Sequence, residues 1–158
     1  MQRLNYFPKF QSAFDKLTEV EAMLNETSID PGLRHLVKLY VSQLNGCAFC
    51  VDMHSKESKL SGERELRLYH IPVWHESPLF SEKEKAALAW AKAVTQLSNG
   101  PVSEELFTAT RRHFSEKELT ELNMTIAMIN LWNRFAAPFN AVPGSMDKFL
   151  GLEAASLA

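Results

Sequence analysis

The chain holds two cysteines and a histidine within one short segment, Cys47, Cys50 and His54 in CAFCVDMH. These are the only two cysteines present, with two residues between them. A disulfide between them would close a very short loop and would remove little entropy from the unfolded chain. A structural crosslink is therefore a weak reason for the pair, and a thiol pair that opens and closes is a better one.

The spacing of these residues matches one face of a helix, because positions i, i+3 and i+7 lie on the same side. Cβ atoms at that spacing lie about 5–6 Å apart, and a disulfide needs about 3.8 Å. A small adjustment in the first turn closes the gap. A helix N-terminus also favours a thiolate, and His54 follows Cys50 by one turn, within reach as a base.

These positions predict a peroxide-reducing cycle. A thiolate attacks the O–O bond and becomes a sulfenic acid, and the second thiol condenses with it to form a disulfide. An external dithiol then resets the pair. We expect Cys50 to be the nucleophile because it neighbours His54, and Cys47 to be the resolving thiol, more accessible to reductant at the helix tip.

Other readings of the cysteine pair stay open at this point, namely a metal site and inert cysteines. Zinc usually needs four ligands, the motif supplies at most three, and His70, His75 and His113 lack zinc-finger spacing. A c-type haem needs a histidine directly after the second cysteine, where Val51 stands. A thioredoxin-like domain needs strands, and the sequence contains none that is convincing.

The elements that must position these residues are predicted to be helices. Asp30-Pro31 is typical of a helix start, Ser103 is a further N-cap, and Ser81 with Glu84 and Ser115 with Glu118 form capping boxes. We predict an all-α fold, a single domain of six or seven helices over residues 1–158, with its core at about 10–140 and the last ten residues as a loose tail. The predicted helices are 8–24, 31–44, 47–60, 63–70, 81–98, 103–114 and 115–137.

Composition limits the classes of function. The 158 residues carry a formal net charge of −2 with a pI of about 6.2, so nucleic acid is not an expected partner. The sequence contains no apolar run long enough to cross a membrane, and its start lacks the apolar core of a signal peptide. We therefore expect a cytoplasmic protein without membrane contact. The sequence supplies no site for haem, flavin or nicotinamide, and no cofactor or metal is expected.

Three segments resemble the alkylhydroperoxidase AhpD-like proteins of the carboxymuconolactone decarboxylase superfamily: 42–54 (SQLNGCAFCVDMH), 80–95 and 129–135. The resemblance covers about residues 10–140 and implies an all-α fold with a helical hairpin carrying the thiols. It also implies homo-oligomers, often trimers or hexamers, and a peroxidase in which Cys50 attacks peroxide, Cys47 resolves and His54 relays protons. The decarboxylase branch typically lacks the cysteine pair, so lactone decarboxylation is not expected.

The sequence departs from this pattern at one position of the proton relay. Relatives usually carry a glutamate twelve residues before the first cysteine, where this chain has His35. An imidazole also accepts a proton near neutral pH, so His35 is the fourth predicted catalytic residue; the alternative is a histidine on a partly exposed helix face. Asp52 and Glu57 are interpreted as solvated charges that point away from the thiols.

The resulting hypothesis is a thiol-dependent peroxidase that acts on organic hydroperoxides or hydrogen peroxide. A general thiol–disulfide oxidoreductase and a non-enzymatic metal-binding or redox-sensing protein are the alternatives. Three polar residues interrupt the otherwise apolar helix near the C-terminus, and we expect them to tie helices together or to reach another subunit: Asn130, Asn133 and Arg134.

Overall fold

The computed structural model describes residues 1–155, and the regular structure in that range is helical throughout. The prediction of an all-α fold is confirmed. The described residues form one α-helix more than the upper predicted number, because a short helix follows residue 140. The α-helices are α1 Gln11–Asn25, α2 Pro31–Leu44, α3 Ala48–Leu60, α4 Glu65–His70, α5 Glu82–Thr95, α6 Glu104–Arg111, α7 Glu116–Ala136 and α8 Asp147–Leu150.

The helix starts follow the capping signals of the sequence. The Asp30 carboxylate accepts a hydrogen bond from the Leu33 N–H at 3.0 Å, directly before Pro31. The capping boxes at the starts of α5 and α7 are both complete. Each cap satisfies N–H groups that have no partner within the helix, so these helix starts are fixed locally.

Helix α2 occupies the centre of the domain and packs against α3, α5 and α7. Its residues from Leu36 to Ser42 are buried without interruption, including Val37, Leu39 and Val41. A helix that is buried all round contributes most of its stabilisation through apolar area removed from water. The thiol-bearing helix α3 therefore packs against a largely buried helix.

Helices α2 and α3 form an antiparallel hairpin, as the family resemblance implies. The turn between them contains Gly46, whose φ of +64° is left-handed backbone that suits glycine. The Cys47 N–H donates to the Ser42 carbonyl oxygen at 3.0 Å and closes this turn. The two cysteines consequently lie at the turn end of the hairpin, and His35 and Glu57 lie towards its open end.

The C-terminal segment packs along α3. The Gly144 N–H donates to the Asp52 carboxylate at 2.9 Å, and Lys56 bridges Asp52 and Asp147 at 2.8 and 2.7 Å. Asp52 is therefore an attachment point, and its interpretation as a solvated charge is wrong. Leu152 and Ala155 are buried, so the described part of the predicted loose tail packs against the domain at these two residues, although Phe149 is exposed. The rest of that predicted tail, residues 156–158, lies outside the described residues.

None of the helices within residues 1–155 combines the length and apolar character that a membrane span requires.

Candidate functional site

Cys47 and Cys50 are joined by a disulfide at the start of α3, with their Cα atoms 5.3 Å apart. Cys47 is the N-cap of α3 and not its first helical residue, since its backbone is extended, with φ −89° and ψ 92°. Its sulfur accepts a hydrogen bond from the Cys50 N–H at 3.4 Å. This departure from helical backbone is the adjustment that brings the two sulfurs into bonding contact.

Both cysteines are buried, each with about 1% of its surface exposed. The prediction that Cys47 is the more accessible of the two is wrong. The hairpin turn that carries it is held against α7 by the side chain of Asn45, and the Cys47 side chain is buried although Gly46 and Ala48 on either side of it are exposed. Exposure alone therefore makes neither sulfur the preferred target of a reductant.

His54 follows Cys50 by one turn of α3 and is 3% exposed. Its Nδ1 lies 2.6 Å from Oε2 of Glu57, and its Nε2 is buried without a hydrogen-bond partner. Burial lowers the pKa of His54, while the Glu57 carboxylate opposes that shift. Because an ionised carboxylate only accepts hydrogen bonds, Nδ1 carries the proton of the neutral ring and Nε2 keeps a free lone pair.

Glu57 is a functional candidate that the sequence interpretation missed. It stands at i+7 from Cys50 and i+3 from His54, so these three residues share one stripe of α3. Burial alone raises the pKa of Glu57, but the imidazoles of His35 and His54 outweigh burial and hold that pKa below its usual range. The interpretation of Glu57 as a solvated charge pointing away from the thiols is wrong, and the helical spacing was the signal that could have identified it.

His35 lies on α2, across the hairpin from Glu57. Its Nδ1 is 3.7 Å from the same Glu57 oxygen that contacts His54, and this nitrogen is buried without a hydrogen-bond partner. The side chain is 20% exposed. One edge of the ring lines a cavity of about 140 Å³, together with Gly32, Ser58, Ser61, Gly62 and Glu63.

A second charge pair lies beside this group. Lys38 on α2 is 2.6 Å from Glu21 on α1, and Glu21 also accepts a hydrogen bond from the Trp132 indole N–H at 2.9 Å. Lys38 lowers the pKa of His54, and Glu21 raises it. The pair therefore adds little net charge to the surroundings of His54, as expected of buried charges that occur together.

A network of side-chain amides anchors the hairpin turn. Asn45 donates to Asn130 at 3.0 Å and to Asn133 at 2.8 Å, and Asn133 donates to the Ser42 hydroxyl at 3.2 Å. The prediction that Asn130 and Asn133 tie helices together is confirmed within the chain. Arg134 instead bonds back to Asn130 on its own helix, so this residue connects no second helix through these bonds.

The structure brings Cys47, Cys50, His54 and His35 to one hairpin, and it adds Glu57 to them. The catalytic roles of the four predicted residues stay predictions. A larger cavity of about 400 Å³ lies elsewhere, lined by Trp74 and by residues from α5, α6 and the connection between them, and none of the predicted catalytic residues lines it. Within residues 1–155, no group of three or more His, Cys, Asp or Glu side chains is arranged to hold a metal ion.

Comparison with known proteins gives consistent results at three levels. Residues 8–93 match the model of the carboxymuconolactone decarboxylase family. The chain is 36% identical over 135 residues to the uncharacterized protein YdfG of Bacillus subtilis (strain 168), covering 85% of this chain and 92% of YdfG. The match to the family model covers more than half of the chain.

Solved structures show the same fold. A protein of unknown function from Agrobacterium tumefaciens, for which an antioxidant defence role as AhpD has been suggested, superposes with a TM-score of 0.87 at 37% identity, covering 90% of this chain and 98% of that one. An uncharacterized peroxidase-related protein from Ralstonia eutropha JMP134, described as an alkylhydroperoxidase AhpD core, superposes with a TM-score of 0.77 at 21% identity, covering 88% and 74%. The second likeness shows the fold alone. With its helical hairpin, its CxxC disulfide and these matches, the chain belongs to the carboxymuconolactone decarboxylase family as an AhpD-like member.

Proposed function

We propose that the chain is a thiol-dependent peroxidase that reduces organic hydroperoxides or hydrogen peroxide through a Cys47–Cys50 dithiol–disulfide cycle. The observation that carries the proposal is the disulfide at the N-terminus of α3, one turn from a buried neutral histidine whose Nε2 is free. The description of fold relatives as AhpD-like or peroxidase-related agrees with it.

The cycle has three balanced steps. The Cys50 thiol loses its proton to His54, and the thiolate attacks the terminal peroxide oxygen; the O–O bond breaks, Cys50 becomes a sulfenic acid, and the departing alkoxide takes up a proton as alcohol. The Cys47 thiol then displaces hydroxide from the sulfenic sulfur, which forms the disulfide and one water. An external dithiol finally reduces the disulfide by exchange and is itself oxidised to a disulfide.

The proposal includes partners that the chemistry requires. The cycle consumes one dithiol per peroxide, so a reducing protein or small dithiol must supply the electrons. We extend the proposal, on the family resemblance, to a cytoplasmic homo-oligomer such as a trimer or hexamer. Neither nucleic acid nor a membrane is part of the proposed activity.

The test measures peroxide consumption with dithiothreitol as the reductant, for the wild type, Cys50→Ser and Cys47→Ser. Cys50→Ser is expected to lose turnover, since it removes the sulfur that attacks peroxide. Cys47→Ser is expected to lose only the internal resolving step, because a dithiothreitol thiol displaces hydroxide from the Cys50 sulfenic acid in its place. Met124→Leu removes an exposed sulfur on α7 with little change in volume and serves as the matched control; its rate is expected to equal that of the wild type.

Equal rates for the wild type and Cys50→Ser would overturn the proposal. Dithiol exchange at the Cys47–Cys50 disulfide with peroxide consumption at background would favour a general thiol–disulfide oxidoreductase instead.

A further inference from the structure

The cavity of about 400 Å³ has no part in the proposed peroxide cycle. It lies where the C-terminal half of α5 meets the first turn of α6 and the loop residue Trp74. Its volume falls within the range of about 300–1,000 Å³ that is typical of sites for small organic molecules. The residues that line it are Trp74, Ala89, Lys92, Ala93, Gln96, Asn99, Gly100, Pro101 and Leu106.

Most of this lining is apolar. Ala89 and Ala93 stand one turn apart on α5, so they share a face of the helix, and their small side chains leave space above it. Trp74 is half-buried, and its indole meets the Tyr40 ring edge-on, with centroids 6.4 Å apart. This contact holds the indole in place, and a flat apolar group can pack against it at little cost in side-chain entropy.

The polar part of the lining consists of donors. Lys92 alone carries a charge among the described residues that line the cavity, and its ammonium has no ion-pair or hydrogen-bond partner within residues 1–155. The Nδ2 atom of Asn99 lies 3.5 Å from Oε1 of Gln96. The carbonyl of the Gln96 amide therefore faces Asn99, and its NH₂ group is left to donate.

An unpaired ammonium beside a free amide donor complements a negatively charged oxygen. Pockets that bind small molecules combine a mainly apolar lining with a few polar groups that fix the orientation of the ligand. The charge complementarity and the apolar lining together describe a ligand with an anionic end and an apolar body.

We propose that this cavity is a second, reversible binding site for a small organic carboxylate. The carboxylate accepts hydrogen bonds from Lys92 and Gln96, and an apolar body, such as an aromatic ring, packs against Ala89, Ala93 and Trp74. The inference goes beyond the peroxidase function and does not depend on it, because the site uses neither sulfur.

The first experiment titrates phenylpropionate into the full chain and follows the indole N–H signals of Trp74 and Trp132 by NMR. Trp74 is expected to shift in a saturable way with a Kd of about 1 mM or lower. Trp132, whose N–H donates to Glu21, is the internal control and should not shift. The neutral phenylpropionamide is expected to bind about fivefold more weakly, because an exposed ion pair contributes about that factor.

Two outcomes of this titration would overturn the proposal. One is a Trp74 signal that does not move, or that moves only together with the Trp132 signal. The other is equal affinity for phenylpropionate and its amide, which would remove the case for an anion. Acetate has no apolar body and is expected to leave Trp74 unshifted.

The second experiment removes the charge at the cavity. Lys92→Gln is expected to weaken phenylpropionate binding by about fivefold and to leave binding of the amide unchanged. Lys85→Gln removes a cation at the other end of α5 and is the matched control. Lys92 also stands in the last turn of α5, where a cation complements the helix dipole. If that were its only role, Lys92→Gln would lower the urea midpoint without changing the affinity, and this result would contradict the proposal.

The third experiment fills the cavity and leaves the charge in place. Ala93→Phe is expected to abolish the saturable shift of Trp74, and the milder Ala89→Leu to reduce the affinity. Ala109→Phe, at an exposed position of α6 outside the lining, is the control. Circular dichroism establishes that each variant is folded. Wild-type affinity in both folded cavity variants would show that phenylpropionate binds elsewhere and would reject the site.

Discussion

His54 combines burial with a defined tautomer, and the two properties together make it a base. Burial keeps the ring neutral at neutral pH, and the Glu57 carboxylate accepts a hydrogen bond from Nδ1–H, which leaves Nε2 to accept a proton. Cys47, one helical turn before Cys50, is already in position to condense with an oxidised Cys50 sulfur. Each side chain thus has one chemical assignment within the proposed cycle.

The first prediction belongs to this scale. Without reductant, Cys47→Ser is expected to consume one peroxide per chain and to retain Cys50 as a sulfenic acid, because no thiol is present to displace the oxygen. Mass spectrometry after dimedone labelling detects that product. Wild-type protein treated in the same way should form the disulfide and take up no dimedone; peroxide consumption by Cys47→Ser without a dimedone adduct would contradict the assignment of Cys50 as nucleophile.

At the scale of elements, the hairpin of α2 and α3 is the unit that carries the chemistry. Its turn is anchored to α7 by the amides of Asn45 and Asn133. Its second helix, α3, is attached to the C-terminal segment through Asp52 and Lys56. Buried amides that satisfy one another fix a unique arrangement. The position of Cys47 therefore depends on α7 as much as on the local turn.

The second prediction concerns this anchor. Asn133→Ala removes the acceptor of one Asn45 hydrogen bond and the donor to Ser42, and it leaves buried polar groups unpaired. The free energy of unfolding is expected to fall by about 1–3 kcal/mol, as measured by urea denaturation. Asn25→Ala at the exposed end of α1 is the control, with a change within about 0.5 kcal/mol. Equal urea midpoints for the wild type and Asn133→Ala would rule out the anchor.

For the whole molecule, a neutral buried histidine couples stability to pH. The pKa of His54 is lowered from 6.5 in the folded protein, so the unfolded chain binds a proton at a pH where the native protein does not. By linkage, the free energy of unfolding then rises with pH through this window. The stability that the neutral His54 ring contributes is fully present above about pH 6.5, and it is lost as the pH falls below that value.

The third prediction follows from this rise of the free energy of unfolding with pH. Oxidised wild-type protein is expected to lose stability between about pH 7.5 and pH 5, and His54→Gln should weaken this dependence because its side chain does not titrate. Glu57 does not interfere, since its pKa is lowered from 4.5 and its contribution is lost only in more acidic solution. Urea midpoints across the range measure the effect, with His75→Gln as control. An identical slope for the wild type and His54→Gln would contradict a buried neutral ring.

Local signals in the sequence were sufficient for the helices and for the stripe that holds Cys50 and His54. Caps at Asp30, Ser81 and Ser115 depend on neighbours within one turn, and helical spacing places side chains on a face without reference to the rest of the chain. The same helical spacing also places Glu57 on this stripe. Only the tertiary structure showed that the Glu57 carboxylate lies between His54 and His35.

Tertiary packing likewise decided the exposure of the sulfurs and the pairing of His35 with Glu57. These depend on the register between α2 and α3 and on the contact of their turn with α7, which joins residues far apart in the chain. The sequence by itself therefore determined which residues could do thiol chemistry and on which helices they stand. Packing between helices determined which of them meet, because contact across elements depends on distances that periodicity within one helix does not contain.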